Sequence, residues 1–231
     1  MDFWDQALRL LNITVIDIAL SGDNAIVIGM AAATLPKEKR PLAIGVGGGL
    51  AIVLRVALTA GATLLMLIPG LSAAGGLILI WVIYKLLKPQ DEDKSEGKRA
   101  GSFREAIFLI VAADFMMSLD NVLAVAGSAH GSIFLLVAGL AISMPLLMVA
   151  GGFISSFIDK ARWLVYLGAA AIAFTAARMV FEDKFVAARL GAGAGALVEN
   201  LAAAVAAALV PAAIALFFRL RSRRDRKPEK P

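Results

Sequence analysis

The chain of 231 residues is 60% hydrophobic, has a mean hydropathy of +0.81 and carries a formal net charge of +5. A soluble domain of this length does not need so much apolar surface, and apolar stretches long enough to cross a bilayer, about 20 residues, recur along the sequence. The composition therefore predicts a polytopic α-helical membrane protein. The sequence has no cysteine, which excludes disulfides and thiolate metal sites. Basic residues lie mostly in loops and tail, where topology explains them and a nucleic-acid partner does not.

Seven apolar segments are candidate membrane spans in an all-α fold. The first is expected to be a retained anchor, because the opening "MDFWDQALRLL" lacks the basic region of a cleaved signal. The segments cover residues 7–34, 41–67, 70–88, 103–128, 132–157, 161–182 and 194–218.

The distribution of Lys and Arg predicts the orientation of these spans. With the N-terminus outside, eighteen basic residues fall in cytoplasmic segments and only four fall outside. Because cytoplasmic loops carry the excess of positive charge, we expect the N-terminus outside and the C-terminus in the cytoplasm. The expected location is the inner or plasma membrane, with the lipid bilayer as a partner.

A motif repeated 97 residues apart suggests two related halves. Asp17, Ser21, Asp23 and Asn24 of "IDIALSGDNAIVIGM" align with Asp114, Ser118, Asp120 and Asn121 of "ADFMMSLDNVLAVAG". The motifs open spans one and four, which are three spans apart, an odd offset. The two copies therefore enter the membrane from opposite sides, as in the inverted repeats of secondary transporters.

The repeat predicts the domain organisation. Each three-helix copy would contribute half of a site near the middle of the membrane, and a seventh helix would stand outside the repeat. The expected units are a first repeat over 1–88, a cytoplasmic linker over 89–102, a second repeat over 103–184, a seventh helix with its leading loop over 185–218, and a basic cytoplasmic tail over 219–231.

The spacing of the motif decides which side chains can meet. Asp17, Ser21 and Asn24 lie at i, i+4 and i+7, on one face of a regular helix, and the second copy repeats this arrangement. Asp23 and Asp120 point away from that face unless the helix bends near "SGDN". Gly22 makes such a break easier in the first copy, whereas the second copy has Leu119 at this position.

The chemistry of the motif favours a hard divalent cation. Four carboxylates, two amides and two hydroxyls suit Mn²⁺, Mg²⁺ or Ca²⁺, with the serines lining the site. Acidic residues within membrane spans usually line ion paths. The alternative is that these polar side chains only form hydrogen bonds between helices. Crowded carboxylates repel one another, so an empty site would tend to hold protons, and metal–proton exchange is the resulting hypothesis.

Other polar or soft residues have weaker claims on the site. Arg55 lies mid-span, where it is either a counter-charge for one carboxylate or a structural residue; its repeat-equivalent is Gly152. Glu199 and Asn200 echo the Asp–Asn pairs but more often such residues solvate a helix end. Met116 and Met117 are thioether ligands that would favour Mn²⁺, or simply packing residues.

The chain resembles the TerC family of integral membrane proteins in the two stretches "DIALSGDNAIVIGMAA" and "ADFMMSLDNVLAVAG". The short form is similar to its YjbE-type branch of metal transporters, and the family is similar to the LysE superfamily of exporters. The resemblance implies Mn²⁺ as substrate and metal-handling roles for Asp17, Asp23, Asp114 and Asp120.

The leading hypothesis is a secondary transporter that exports Mn²⁺ in exchange for protons, with no cofactor and no enzymatic activity. Asn24 and Asn121 would be neutral oxygen ligands. The alternatives are a Ca²⁺/H⁺ exchanger and a non-transporting membrane protein that delivers metal or scaffolds a complex. A homo-oligomer is compatible with the sequence.

Overall fold

Helices account for almost all of the chain that the computed structural model describes, namely residues 3–61, 68–88, 102–129, 132–190 and 196–225. Within those ranges there are nine α-helices and no strand, so the expected all-α class is confirmed. The helices are α1 Phe3–Leu20, α2 Gly22–Ala33, α3 Arg40–Ala60, α4 Leu71–Leu87, α5 Phe103–Ala129, α6 Ile133–Ile158, α7 Trp163–Phe181, α8 Lys184–Leu190 and α9 Ala196–Asp225. A 3-10 turn, Lys37–Lys39, joins α2 to α3.

Each of the seven apolar segments contains at least one of these helices, but the number of membrane spans stays a prediction. Among the described residues four helices are long and apolar enough to cross a membrane, or five if the bent pair α1–α2 is one span. The helix α4 is apolar but shorter. Residues 62–67 and most of the linker lie outside the described residues, and so do the side chains of part of α5. The sequence did not predict α8.

The first apolar segment is broken into α1 and α2 at Ser21, and the two helices are bent by 57°. The backbone of Ser21 lies outside the helical region, with φ −110° and ψ 12°. Serine competes for backbone hydrogen bonds and Gly22 has a weak helix propensity, so this pair is a favourable place for a break. The second copy, with Leu119 in place of Gly22, runs through α5 without interruption.

The short helix α2 lies at the centre of the fold. Eight of its twelve residues are buried, and its side chains join a core cluster that also includes residues of α4, α5 and α7. The closest partner of α2 is α6, while α3 packs on α5, α4 packs on α7, and α9 covers α7. Helices of the first half of the chain thus pack on helices of the second half, which brings the two motifs together.

Glycines allow the close approach of α2 to α6. A Cβ on Gly29 would lie 2.6 Å from the Ile154 side chain and 2.9 Å from the Gly151 carbonyl oxygen. A Cβ on Gly151 would in turn lie 2.6 Å from the Ile28 side chain. Because neither contact has room for a methyl group, small residues set the distance between these helices.

We expect Gly29→Ala to lower the free energy of unfolding by about 1–3 kcal/mol, because the new methyl group overpacks the seam between α2 and α6. Gly45→Ala on α3 is the matched control, since a Cβ there meets nothing within 4 Å. The control should be neutral or stabilising by up to about 1 kcal/mol through helix propensity. Thermal unfolding in detergent measures both, and equal midpoints would contradict the close packing.

Candidate metal site

The break after α1 lies beside a cluster of fully buried polar side chains. Asp17 and Ser21 are 0% exposed, Asn24 is 1% exposed, and Asp114 on α5 is 2% exposed. Asp17 lies near the end of α1, Ser21 at the break and Asn24 in α2, so these residues meet although the regular helix that the i, i+4, i+7 spacing assumed is interrupted between them. The two copies of the motif contact each other here through the hydrogen bond of Asn24 to Asp114.

Arg55 from α3 lies between the two carboxylates. Its Nη1 donates to Asp17 Oδ1 at 2.6 Å, and its Nη2 donates to Asp114 Oδ1 at 2.5 Å. Nη1 is also 2.9 Å from Ser21 Oγ. The arginine side chain is 3% exposed, so both ion pairs are removed from the surface of the molecule. The guanidinium thus ties α1, α3 and α5 together at one point.

Neutral groups complete the surroundings of the carboxylates. Asn24 Nδ2 donates to Asp114 Oδ1 at 2.6 Å, and Ser21 Oγ donates to Asp17 Oδ1 at 3.3 Å. Ser143 from α6 donates its hydroxyl to Asp17 Oδ2 at 2.5 Å. Asp17 therefore has partners from its own helix, from α3 and from α6, which together hold its side chain in one orientation.

Some buried polar atoms of Arg55 and of the two motif copies have no hydrogen-bond partner in the described part of the chain. They are the amide oxygen of Asn24, the hydroxyl of Ser118 and the Nε of Arg55. Buried polar atoms are nearly always paired in native structures, so each of these atoms calls for an explanation. Two of the three are oxygens that can accept from a donor or bind a cation.

Asp23 points to a different helix. Its Oδ2 accepts a hydrogen bond from Thr175 Oγ1 of α7 at 3.2 Å, and its Oδ1 is buried without a partner among the described residues. Asp23 lies in the first turn of α2, where the positive end of the helix dipole favours a carboxylate. The break that the sequence required for Asp23 is present, but the hydrogen bond that Asp23 makes leads to α7 and not to Arg55.

The remaining predicted residues divide into three groups. Asn121 donates to the carbonyl oxygen of Leu20 at 3.0 Å, and Asn200 is exposed on α9. Met117 is buried in the core cluster and Met116 packs against it, which fits the packing interpretation. The side chains of Asp120 and Glu199 lie outside the described residues.

The described residues contain no group of three or more His, Cys, Asp or Glu side chains that could hold a metal ion. The carboxylates that do meet, Asp17 and Asp114, are two in number, and a guanidinium lies between them. A cation that binds both carboxylates must therefore compete with Arg55.

Two residues of this region escaped the sequence analysis, Ser143 and Thr175. Neither belongs to the repeated motif, and the position 97 residues before Ser143 is Val46. The available signal was a hydroxyl within an apolar span, which in membrane helices often marks a contact between helices.

Comparison with known proteins now identifies the chain. A family model described as "Integral membrane protein TerC family" matches residues 3–227. The chain belongs to the TerC family. This TerC-family chain is 41% identical over 180 residues, 78% of its length, to the "Uncharacterized membrane protein YjbE" of Bacillus subtilis, and covers 82% of that relative.

Other relatives of this TerC-family chain are also membrane proteins. The chain is 31% identical over 171 residues, 66% of its length, to the "UPF0053 inner membrane protein YgdQ" of Escherichia coli K12, of which it covers 71%. It is 26% identical over 183 residues, 68% of its length, to the E. coli protein YoaE, of which it covers 34%. No solved structure gives a significant match. With its apolar helices, the chain is a multi-pass membrane protein.

The ion-pair cluster predicts a large cost for removing Arg55. We expect Arg55→Gln to lower the free energy of unfolding by about 3–5 kcal/mol, because it leaves buried carboxylates without their cationic partner. Adding Asp114→Asn should recover part of this loss. Arg178→Gln is the control, since Arg178 and Glu182 form an exposed pair whose loss should cost at most about 1 kcal/mol. Denaturation in detergent measures the free energy of unfolding of the unmodified protein, the two single variants and the double variant. Equal losses of stability in Arg55→Gln and Arg178→Gln would contradict the buried ion pairs of Arg55.

Proposed function

We propose that this protein is a secondary transporter that exports a hard divalent cation, with Mn²⁺ as the leading substrate, in exchange for protons. The observation that carries the proposal is the fully buried cluster in which Arg55 bridges Asp17 and Asp114. Charged groups inside membrane helices are costly and usually belong to an ion or proton path. The cluster also joins the two copies of the motif, where repeat-built transporters bind their substrates.

The charge of the cluster favours a cation as substrate. Two ionised carboxylates and one guanidinium leave a net charge of −1, and the neutral neighbours offer oxygen atoms. Asp17, Asp114, the amide oxygen of Asn24 and the hydroxyl of Ser118 would be the first oxygens to meet a metal ion. Such donors suit Mn²⁺, Mg²⁺ and Ca²⁺.

Arg55 acts in this proposal as a tethered cation that occupies the carboxylates when no metal is bound. A divalent ion would displace the guanidinium and neutralise both carboxylates. When the metal leaves, Arg55 would return and neutralise one carboxylate, and a proton would neutralise the other. The empty cluster would then carry no net charge, whereas the metal-loaded cluster would carry the single positive charge of the displaced guanidinium.

Asp23, with Thr175, and Asp120 would belong to the path by which ions or protons reach the cluster. Asn121 is a weaker candidate for a direct ligand, because its hydrogen bond leads to the backbone at Leu20 and not to Asp17, Asp114 or Arg55. We keep the predicted orientation, with the N-terminus outside, so that export runs from the side of the α2–α3 turn.

Choice among the metals rests on the family resemblance, because the oxygen donors fit several ions and Met117 is packed in the core. Purified protein in liposomes should take up Mn²⁺ when the lumen is more acidic than the outside. The lumen pH should rise as Mn²⁺ enters, because protons leave in exchange. If the protein moves Ca²⁺ in preference to Mn²⁺, then Ca²⁺ is the substrate and the exchange mechanism is unchanged. Metal binding without flux of any tested ion would refute transport and favour a metal-delivery protein.

The two bridged carboxylates should be essential for transport. We expect Asp17→Asn and Asp114→Asn each to abolish Mn²⁺ flux, because each removes a charged ligand from the cluster. Glu105→Gln is the matched control on the same helix as Asp114, since Glu105 forms a partly exposed pair with Lys85. Flux that persists in both aspartate variants would refute the assigned roles.

Competition between Arg55 and metal gives a separate prediction. If the guanidinium occupies the metal position, Mn²⁺ should raise the thermal midpoint of Arg55→Gln more than that of the unmodified protein. Flux through Arg55→Gln should fall at the same time, because the empty carrier lacks its tethered cation. A smaller metal-induced shift in the variant would place the metal elsewhere.

A further inference from the structure

The two copies of the motif have the same polar residues but different backbone conformations. The first copy is broken at Ser21 and bent by 57°, whereas the second lies within the continuous helix α5. The two copies share their Asp, Ser and Asn residues but differ at Gly22 and Leu119, so the conformation of each copy depends on that position and on the contacts around it. The contacts of the two asparagines show how the surroundings differ.

The break leaves the backbone carbonyl of Leu20 without its helical partner. In a continuous helix the N–H of Asn24 would donate to the carbonyl of Leu20. Here that N–H donates instead to the carbonyl of Ser21 at 3.0 Å. A carbonyl without a partner inside a membrane is strongly unfavourable, so Leu20 needs a donor from elsewhere.

Asn121 of the second copy supplies that donor. Its Nδ2 lies 3.0 Å from the carbonyl oxygen of Leu20. The equivalent residue in the first copy, Asn24, donates its Nδ2 to Asp114 at 2.6 Å. The two asparagines therefore have different partners. Asn121 donates to the backbone at the break, and Asn24 donates to the carboxylate of Asp114.

The serines differ in the corresponding way. Ser21, at the break, contacts both Asp17 and Arg55. Ser118, in the continuous copy, is 1% exposed and its hydroxyl has no partner among the described residues. The second copy thus contains an unsatisfied hydroxyl at the position where the first copy has its break.

We propose that Asn121 is a positioning residue that holds the break between α1 and α2, and that Asn24 does the same for the second copy in another conformation of the transporter. In that conformation α1–α2 would be continuous and α5 would break at Ser118. The carbonyl of Met117, the equivalent of Leu20, would accept from Asn24. Ser118 would then donate to Asp114, as Ser21 donates to Asp17.

This inference rests on the proposed transport function, since two conformations in which the motif copies exchange roles would open the site to opposite sides of the membrane. It concerns the backbone and not the metal, so a measurement without metal can test it. The sequence has no cysteine, and pairs of cysteines for spin labels can therefore be introduced without removing native ones.

One pair, Leu8→Cys with Glu38→Cys, spans the break in the first copy, and a second pair, Phe108→Cys with Phe134→Cys, spans the second copy. All four positions are exposed. Straightening a 57° bend between helices of this length lengthens the end-to-end distance by about 4–5 Å. We expect Asn121→Asp, which lacks the amide donor, to populate the longer distance in the first pair and a shorter distance in the second.

Asn200→Asp on α9 is the matched control and should leave both distances unchanged. In liposomes, Asn121→Asp should slow Mn²⁺ flux, because a positioning residue affects reorientation. Unchanged distances in folded Asn121→Asp and Asn121→Ala proteins would overturn the proposal.

An exchange of the residues beside the two serines gives a second, independent test. Gly22→Leu combined with Leu119→Gly should move the break to the second copy, and a Cβ on Gly22 meets nothing within 4 Å. Distances that stay as in the unmodified chain would overturn the exchange of roles. A shift in the distances of a protein that moves no metal would support the role of Asn121 and refute the proposed transport.

Discussion

The ion pair of Arg55 with Asp17 and Asp114 is the interaction on which the rest of the structure depends. Two carboxylates buried among apolar helices would be very costly without a cation, and a lone arginine would be equally so. Each therefore requires the others, and the requirement fixes three helices relative to one another. The arginine comes from α3, one aspartate from α1 and the other from α5. The contact that joins the two repeats is thus electrostatic at its centre and apolar around it.

The helix break follows from this arrangement. A regular helix through residues 16–30 would place Asp17, Ser21 and Asn24 on one face but leave the start of α2 with no way to turn into the core. The bend at Ser21 keeps those three side chains at the cluster and directs α2 between α6 and the helices of the core. Glycines at positions 29 and 151 then let α2 approach α6 closely. One backbone group freed by the bend, the carbonyl of Leu20, accepts a hydrogen bond from Asn121 of the second motif copy.

Some of this could be predicted from the sequence because it depends on local spacing. The i, i+4, i+7 pattern identified the residues of the first motif that reach the cluster, and the polar residue Arg55 in mid-span was a candidate counter-charge. The condition on Asp23, that it needs a break near Gly22, was also local. Its partner Thr175 was not predictable, because a single hydroxyl on α7 has no periodic signal and becomes relevant only when α2 and α7 pack together. Ser143 escaped for the same reason, since it belongs to neither copy of the motif.

The asymmetry of the cluster has a consequence for any ion that binds there. The two copies of the motif supply four aspartates, two serines and two asparagines, but the chain has only one arginine to match them, because Gly152 occupies the position equivalent to Arg55. A cation approaching from either side of the membrane would meet the same guanidinium and would have to displace it. The cost of displacement is therefore common to both directions. Preference for one direction must come from the helices on either side of the cluster, where the broken first copy and the continuous second copy differ.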